Sequence, residues 1–349
     1  METAAHSSKL QLLHHGNIMM IVVICHPQLM QLSQDILADE LKVFESKFRD
    51  AVKSSTPLLD RIMRFIVNRK GKQLRPMFVL LSAKLCGTIN ESTYRAASLV
   101  ELLHTATLVH DDVVDESLER RGFFSTYALW KTKISVLVGD YLFAKGLLLS
   151  LDNNDFRILQ ILTDAVRMMS EGELLQIEKS RSLNLNEEVY FEIIKSKTAS
   201  LLAAACSAGA FSTSHDDTLA TKMRIFGEKV GIAFQMKDDL FDYGNAAVGK
   251  PTGNDIKEKK ITLPLIYTLN HLDKSSRREC IYIIKNQNRD KEKVKWVLDK
   301  VKEAGGISYA EKLMCQYRDE ALSILHEFPD SPVRSGLEEL VRYTTDRKY

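Results

Sequence analysis

"ELLHTATLVHDDVVDESLERRG", residues 101–122, begins as an oily helix and then sets three aspartates, Asp111, Asp112 and Asp115, within five positions. Carboxylates at i and i+4 stack on one helix face, and like charges at that spacing cost a bare helix about 0.2–0.5 kcal/mol. The same arrangement returns in "FQMKDDLFD" as Asp238, Asp239 and Asp242, again inside a run that would otherwise be core. One such cluster is as readily a solvated helix face. Two identical clusters, each opened by an apolar run, require a cation. Magnesium prefers oxygen ligands, keeps several waters, and is typically held by one or two carboxylates plus substrate phosphates. Two facing sets of acids therefore predict a diphosphate suspended between them by Mg2+.

Basic residues are spaced to complete such a site. "GKQLRP" supplies Lys72 and Arg75, and "ERRG" supplies Arg120 and Arg121 just beyond the first acidic cluster. "KTA" supplies Lys197 beside Thr198, and "GKPTGNDIKEKKITLP" supplies Lys250 and Lys260. Arginine holds phosphate with a bidentate fork and lysine as a point charge. Each alone reads as a surface charge; together with the two acidic helices they read as a diphosphate cradle. "SHDDT", with His215, Asp216 and Asp217, has no oily flank and reads as a solvated loop.

The surroundings are helical. No proline lies between Pro76 and Pro251, and "PLLDRIMRFIV", "AASLVELLHTATLV", "DYLFAKGLLLSL", "ILQILTDAVRMM" and "EKVGIAFQMKDDLFDY" repeat apolar residues at helical spacing. "DILADELKVFESKF" reads as one further helix. Pro76 suits a first helical turn and Gly87 its C-terminal cap, while Asp152, Asn153 and Asn154 mark a turn. Several helices are apolar around most of their circumference, as in the centre of a large bundle. The expectation is one all-α domain over residues 31–349, with residues 1–30 a poorly ordered extension and Met30 a candidate start.

Hydrophobic residues at 45% of 349 are enough for a sizeable core. A net charge of +2 gives no reason to expect nucleic acid. Five cysteines without a C-x-x-C pair exclude a zinc ribbon or disulfide framework and fit a reducing, cytoplasmic compartment. "IMMIVVIC", residues 18–25, is far short of the roughly 20 residues of a spanning helix. No segment is therefore expected to cross a bilayer, leaving at most a peripheral membrane association.

In their order, "GKQLRP", "LLHTATLVHDDVVDESLERRG", "VGDYLFAKG", "KTASLL", "GIAFQMKDDLFDYGN" and "GKPTGNDIKEKKITLPLIYTL" resemble the trans-polyprenyl diphosphate synthases of the class I isoprenoid synthase fold. The resemblance runs from about residue 35 to near the C-terminus, departing at Gln73, where the family usually has arginine, and at Lys237. It implies an all-α isoprenoid synthase bundle with a central cavity. The activity implied is head-to-tail condensation of isopentenyl diphosphate with an allylic diphosphate, with Mg2+ as cofactor and a homodimer as the usual assembly. By the same resemblance Asp111, Asp115, Asp238 and Asp242 hold metal, Asp112, Asp239 and Asp255 support them, Arg120, Lys197 and Lys260 bind the departing diphosphate, and Lys250 is a further substrate-binding residue. Lys72, Arg75, His104 and Arg121 hold isopentenyl diphosphate, and the oxygens of Thr198 and Gln235 lie near the allylic cation. His110 is left structural.

In that family a bulky aromatic four or five residues before the first acidic motif stops short products. Ala106 and Thr107 stand there, which leaves the tunnel open and implies a long chain of the octaprenyl or nonaprenyl class, used for a quinone tail. Phe143 or Met168 would close the deeper floor. The competing readings are a shorter-product (geranylgeranyl or farnesyl) synthase, a terpene cyclase, a non-catalytic synthase subunit and a helical scaffold. A cyclase has an NSE-like second motif where this chain has "DDLFD", a non-catalytic subunit generally lacks the acids or basic ligands that this chain retains, and a scaffold leaves the paired acids unexplained.

Overall fold

The computed structural model describes residues 30–68, 71–120, 123–182, 186–244 and 252–347. Helices α1 (Gln31–Ile36) and α2 (Ala38–Ala51) lead into α3 (Pro57–Val67), α4 (Leu74–Cys86) and the long α5 (Glu91–Val114). A break at the fully buried Leu37 divides what the periodicity reads as one helix. Asn90 starts α5 by accepting the Thr93 N–H at 3.1 Å, while the Thr93 hydroxyl accepts the Asn90 N–H at 3.3 Å. After α5 come two two-residue strands, β1 (Glu119–Arg120) and β2 (Phe123–Phe124), paired antiparallel.

The chain continues as α6 (Thr126–Leu151), α7 (Phe156–Ser182) and α8 (Glu187–Ile194), a π-helical turn (Lys195–Ala199), α9 (Ser200–Ser214) and α10 (Asp217–Phe241). It ends with α11 (Asn254–Lys257), α12 (Leu263–His271), α13 (Lys274–Asn286), α14 (Lys291–Glu303), α15 (Gly306–Leu325) and α16 (Pro332–Asp346). Gly87 caps α4, and Asp152 to Asn154 turn the chain between α6 and α7. "SHDDT" is helix-end chemistry. Asp216 caps α10 by accepting the Thr218 N–H at 2.7 Å, and Asp217 pairs with Arg157.

Helix α9 is the axis of the bundle. Its sequence "SLLAAACSAGAFSTS" is almost wholly buried, and it packs on α4, α5, α7 and α10. Small side chains let the backbones approach closely: a Cβ built on Gly209 would stand 2.3 Å from the Val79 carbonyl oxygen of α4. Three apolar clusters surround this axis. The largest joins α4, α5, α9, α10 and α16, a second gathers α12 to α15 around the C-terminal half of α10, and the third fills the space among α3, α5 and α6. The ends of the described chain are tied together. Ser33 on α1 donates its hydroxyl to the Gly336 carbonyl on α16 at 2.8 Å.

One sequence expectation changes here. By length and composition α6 is apolar enough to cross a membrane, although only a third of its most apolar stretch is buried. Its stem carries Lys131, Lys133, Asp140 and Lys145, and Lys131 takes a left-handed backbone (φ 66, ψ 174) that interrupts the helix. The buried face of α6 packs on α5, where the His110 ring sits against Gly139 so closely that no Cβ would fit.

Gly209→Ala is expected to push α4 from α9 and destabilise the fold by about 1–3 kcal/mol. Thermal melting would register this as a lowered midpoint.

Candidate active site

The two acidic motifs occupy the same place on two helices. Asp111 and Asp112 lie in the last turn of α5 with Asp115 as its C-cap, and Asp238 and Asp239 lie in the last turn of α10 with Asp242 as its C-cap. A helix C-terminus carries the negative end of the backbone dipole, so carboxylates there are unfavourable and cations favourable. Both motifs therefore concentrate negative potential at a helix end.

Within the second motif the carboxylates divide their work. Asp239 is buried, accepting the Tyr190 hydroxyl at 2.7 Å and the Gln235 amide N–H at 2.8 Å. Burial, partly offset by those two donors, pushes its pKa up to about 6. Asp242 accepts the backbone N–H of Asn254 at 2.8 Å and of Asp255 at 3.0 Å, which folds the start of α11 back onto the end of α10. That return is built on Gly253, whose φ of +79 and closeness to Val294 exclude a side chain. Burial raises the Asp242 pKa, against the two backbone donors. Asp255 follows on α11, and burial plus the nearby charges of Asp239 and Asp242 push its pKa up to about 8.

Lys260 links the motifs. Its ammonium pairs with Glu258 at 2.6 Å. Burial opposes its charge, but Glu258, Asp255 and, from the first motif, Asp115 outweigh that and raise its pKa. One cation thus lies within electrostatic reach of both acidic helix ends. A second cation is Arg347 at the end of α16: its guanidinium meets Asp238 at 2.5 Å and lies over the rings of Phe234 and Phe241, 4.1 and 5.4 Å from their centroids.

The π-helical turn supplies the opposite wall. It is wedged between α7 and α10, where a Cβ on Gly172 would meet the Lys197 nitrogen at 2.9 Å and one on Gly231 the Ala199 Cα at 2.5 Å. Such turns add one residue and bulge the helix locally. Lys197 reaches Glu173 at 2.5 Å and Gln176 at 3.4 Å, and the Thr198 hydroxyl donates to the Gln235 amide oxygen at 2.7 Å. Lys197, Thr198, Gln235, Asp238, Asp239, Asp242, Asp255 and Lys260 all line one cavity of about 360 Å³.

A second cavity, about 530 Å³, lies between α2, the end of α3 and α5. His104 and Asp112 line it with Glu45, Arg49, Gln73 and the apolar Phe44, Phe48, Phe65 and Leu108. Gln73, the departure noted in the sequence, adopts a left-handed backbone (φ 53) and donates to Glu45 at 3.3 Å. Three expectations are not met in position. Lys72 turns from this cavity to α16, donating to the Tyr343 hydroxyl with its ammonium 5.1 Å from the ring centroid. Ala106 is packed among Ile62, Met63, Val138 and Leu142, so its small side chain is matched by neighbours and opens no space. Thr107 donates its hydroxyl to the His104 carbonyl at 2.8 Å, and neither residue lines the two cavities.

Arg75 is half-buried in the first turn of α4, and Asp111 is half-buried where Asp115 is exposed. Phe143 packs beside the His110 ring, and Met168 is half-buried on α7. Arg121 and Lys250 lie outside the described residues, as do the side chain of Arg120 and the 1–29 part of the N-terminal extension.

Among the described residues no three His, Cys, Asp or Glu side chains converge closely enough to hold a metal ion unaided. The donor set nevertheless fits a hard divalent cation whose remaining ligands come from phosphate and water. It is all oxygen, burial raises the carboxyl pKa of Asp242 and Asp255, with repulsion from Asp239 and Asp242 adding at Asp255, and a guanidinium already rests on Asp238. The sequence reading missed Tyr190, Glu173, Asn254 and Arg347. The first reads as a core aromatic within "VYFEII", and no spacing announces the others.

A polyprenyl synthetase profile matches residues 56–301. The chain belongs to the polyprenyl synthetase family. Octaprenyl diphosphate synthase of Escherichia coli is 30% identical over 315 residues, covering 90% of this chain and 97% of that protein. A polyprenyl synthase from Caulobacter crescentus, crystallised with calcium and isoprenyl diphosphate, superposes with a TM-score of 0.84 at 34% identity, over 92% of this chain and 98% of that one. A geranylgeranyl pyrophosphate synthase from Bacteroides thetaiotaomicron superposes with a TM-score of 0.79 at 36% identity, over 92% and 100%. The all-α fold is thus the fold of other polyprenyl synthases, and membership of the family implies prenyltransferase activity.

Asp255 binds its proton more tightly in the folded protein (pKa about 8) than an ordinary aspartate does (3.8), so the native state holds the extra proton between those values. In chelator, this family member should therefore lose thermal stability as pH rises from about 4 to about 8. Asp255→Asn should flatten that slope.

Proposed function

We propose that this chain is an Mg2+-dependent long-chain polyprenyl diphosphate synthase, adding isopentenyl diphosphate head-to-tail to an allylic diphosphate to give an octaprenyl- or nonaprenyl-class product for a quinone tail. The observation that carries the proposal is the pair of acidic helix ends sharing Lys260, with Lys197 across the same cavity. The Caulobacter crescentus relative, complexed with calcium and isoprenyl diphosphate, supports a divalent ion and a diphosphate as ligands.

The difficult step is breaking an allylic carbon–oxygen bond. Asp111, Asp115, Asp238 and Asp242 would hold magnesium, which would neutralise charge gathering on the departing diphosphate. Lys197 and Lys260, with Arg120 and Lys250, bind that diphosphate's oxygens and stabilise the same charge in a partly dry site. The Thr198 and Gln235 oxygens face the allylic cation. His104, Arg75 and Arg121, with Arg49 and Gln73 at the larger cavity, hold isopentenyl diphosphate, and the apolar walls of that cavity exclude water from its alkene. The released diphosphate takes the proton, so no side chain is needed as general base. The four described cysteines are unpaired, which suits a cytoplasmic protein.

The purified chain, given Mg2+, isopentenyl diphosphate and a farnesyl primer, should yield extracted alcohols of octaprenyl or nonaprenyl size. The similarity to the Bacteroides thetaiotaomicron enzyme favours the shorter-product reading, which a geranylgeranyl product would establish. Cyclic products made without isopentenyl diphosphate would establish a cyclase, and an inert chain would sink the proposal. Asp111→Asn and Asp238→Asn are each expected to lower kcat by about 10²–10³.

We propose a homodimer assembled through α6. Val136, Leu137, Leu148 and Leu151 on α6 and Phe156 on α7 are exposed apolar side chains. Sedimentation should give twice the mass of one chain, and Leu137→Glu with Leu148→Glu should shift the protein towards monomer.

A further inference from the structure

Tyr190 lines the smaller cavity and donates its phenol to Asp239, and the roles proposed above leave it without a task. It lies on α8 in the second apolar cluster, against Met236, Leu240 and Tyr243 of the α10 end, and its ring meets Phe191 edge-on. Phenylalanine would fill that volume equally well. The hydroxyl is therefore the informative atom, and it donates to one oxygen of Asp239 at 2.7 Å.

The other oxygen of Asp239 receives the Gln235 side-chain amide at 2.8 Å. An ionised carboxylate only accepts hydrogen bonds, so the Gln235 atom facing it must be the nitrogen. This fixes the other end of the amide. Its carbonyl oxygen is turned to Thr198, whose hydroxyl donates to it at 2.7 Å, and both residues line the smaller cavity. Gln235 and Asp239 are one turn apart on α10, so the link needs no movement of the backbone. A glutamine amide is nearly symmetrical in shape, and a half-turn about its last bond exchanges oxygen for NH2. That exchange would reverse the sign of the partial charge shown to the cavity.

We propose that Tyr190 and Asp239 are positioning residues: together they lock the Gln235 amide with its oxygen, and not its nitrogen, towards the cavity wall where the allylic cation develops. Asp239 accepts a side-chain donor on each oxygen, the Tyr190 hydroxyl on one and the Gln235 amide on the other, so it holds that amide in place. The inference rests on the synthase reading above. It deepens that reading by assigning a specific electrostatic task to a residue on α8.

The test is a double-mutant cycle on the full chain with Mg2+, isopentenyl diphosphate and an allylic primer, taking Tyr190→Phe in the wild-type and Gln235→Leu backgrounds. Tyr190→Phe should lower kcat by about tenfold and leave KM for isopentenyl diphosphate within about twofold. It should cause no further loss when Gln235 is already leucine. An unchanged kcat, or the same proportional loss in both backgrounds, would overturn the inference. Should Tyr190→Phe melt below the assay temperature, Asp239→Asn, which keeps the volume, is judged by the same cycle and the same two outcomes. An inactive wild-type chain would instead overturn the synthase reading beneath it, so the two failures are distinguishable.

Discussion

Like charges gathered at the wrong end of helices are the constraint from which the rest of this structure follows. Two helices, α5 and α10, each finish in a pair of aspartates and a third aspartate as cap, where the backbone dipole already contributes negative potential. Around the second set, burial disfavours charge directly and the carboxylates of Asp239 and Asp242 add repulsion, which is why Asp255 holds its proton to about pH 8. The protein relieves part of this load with its own cations, Lys260 between the motifs and Arg347 on Asp238. A site that recruits a guanidinium from the far end of the described chain is one in which a small, hard cation is at home.

Placing the opposing wall requires close backbone approach. Gly172 and Gly231 let a π-helical turn slide between α7 and α10, bringing Lys197 and Thr198 to the cavity from a helix otherwise buried by its small residues. The larger cavity is built differently. Aromatic side chains of α2 and α3 form its apolar wall, and a few polar groups, His104 and Gln73 among them, interrupt it.

The sequence showed those features whose cause is local. A helix period, a cap such as Asn90 or Asp216 and a doubled DDxxD are all written within a turn or two, and the order of the motifs carried the family. Contacts made by distant segments were not visible. Tyr190 precedes Asp239 by 49 positions and reads as any buried aromatic. Asp242 looks identical to Asp115, yet its carboxylate also accepts two backbone N–H groups from the start of α11 because Gly253 turns the chain back. Lys72 was legible as a basic residue in a glycine-led loop, but not as the partner of Tyr343 on α16. Ala106 shows the limit of arguing from size alone. A small residue marks open space only if its neighbours leave some, and here Val138 and Leu142 do not.

The π-helical turn has one more consequence. An α-helix advances about 100° per residue, so a turn holding one residue too many sets everything before it out of phase with everything after it. Deleting a single amino acid between 195 and 199 would let the segment relax into uninterrupted α-helix, locally better bonded than before. The same deletion would swing Lys197 and Thr198 around the barrel of the helix and away from Gln235. This stretch should therefore tolerate changes of side chain more readily than changes of length, the reverse of what is normal for a loop.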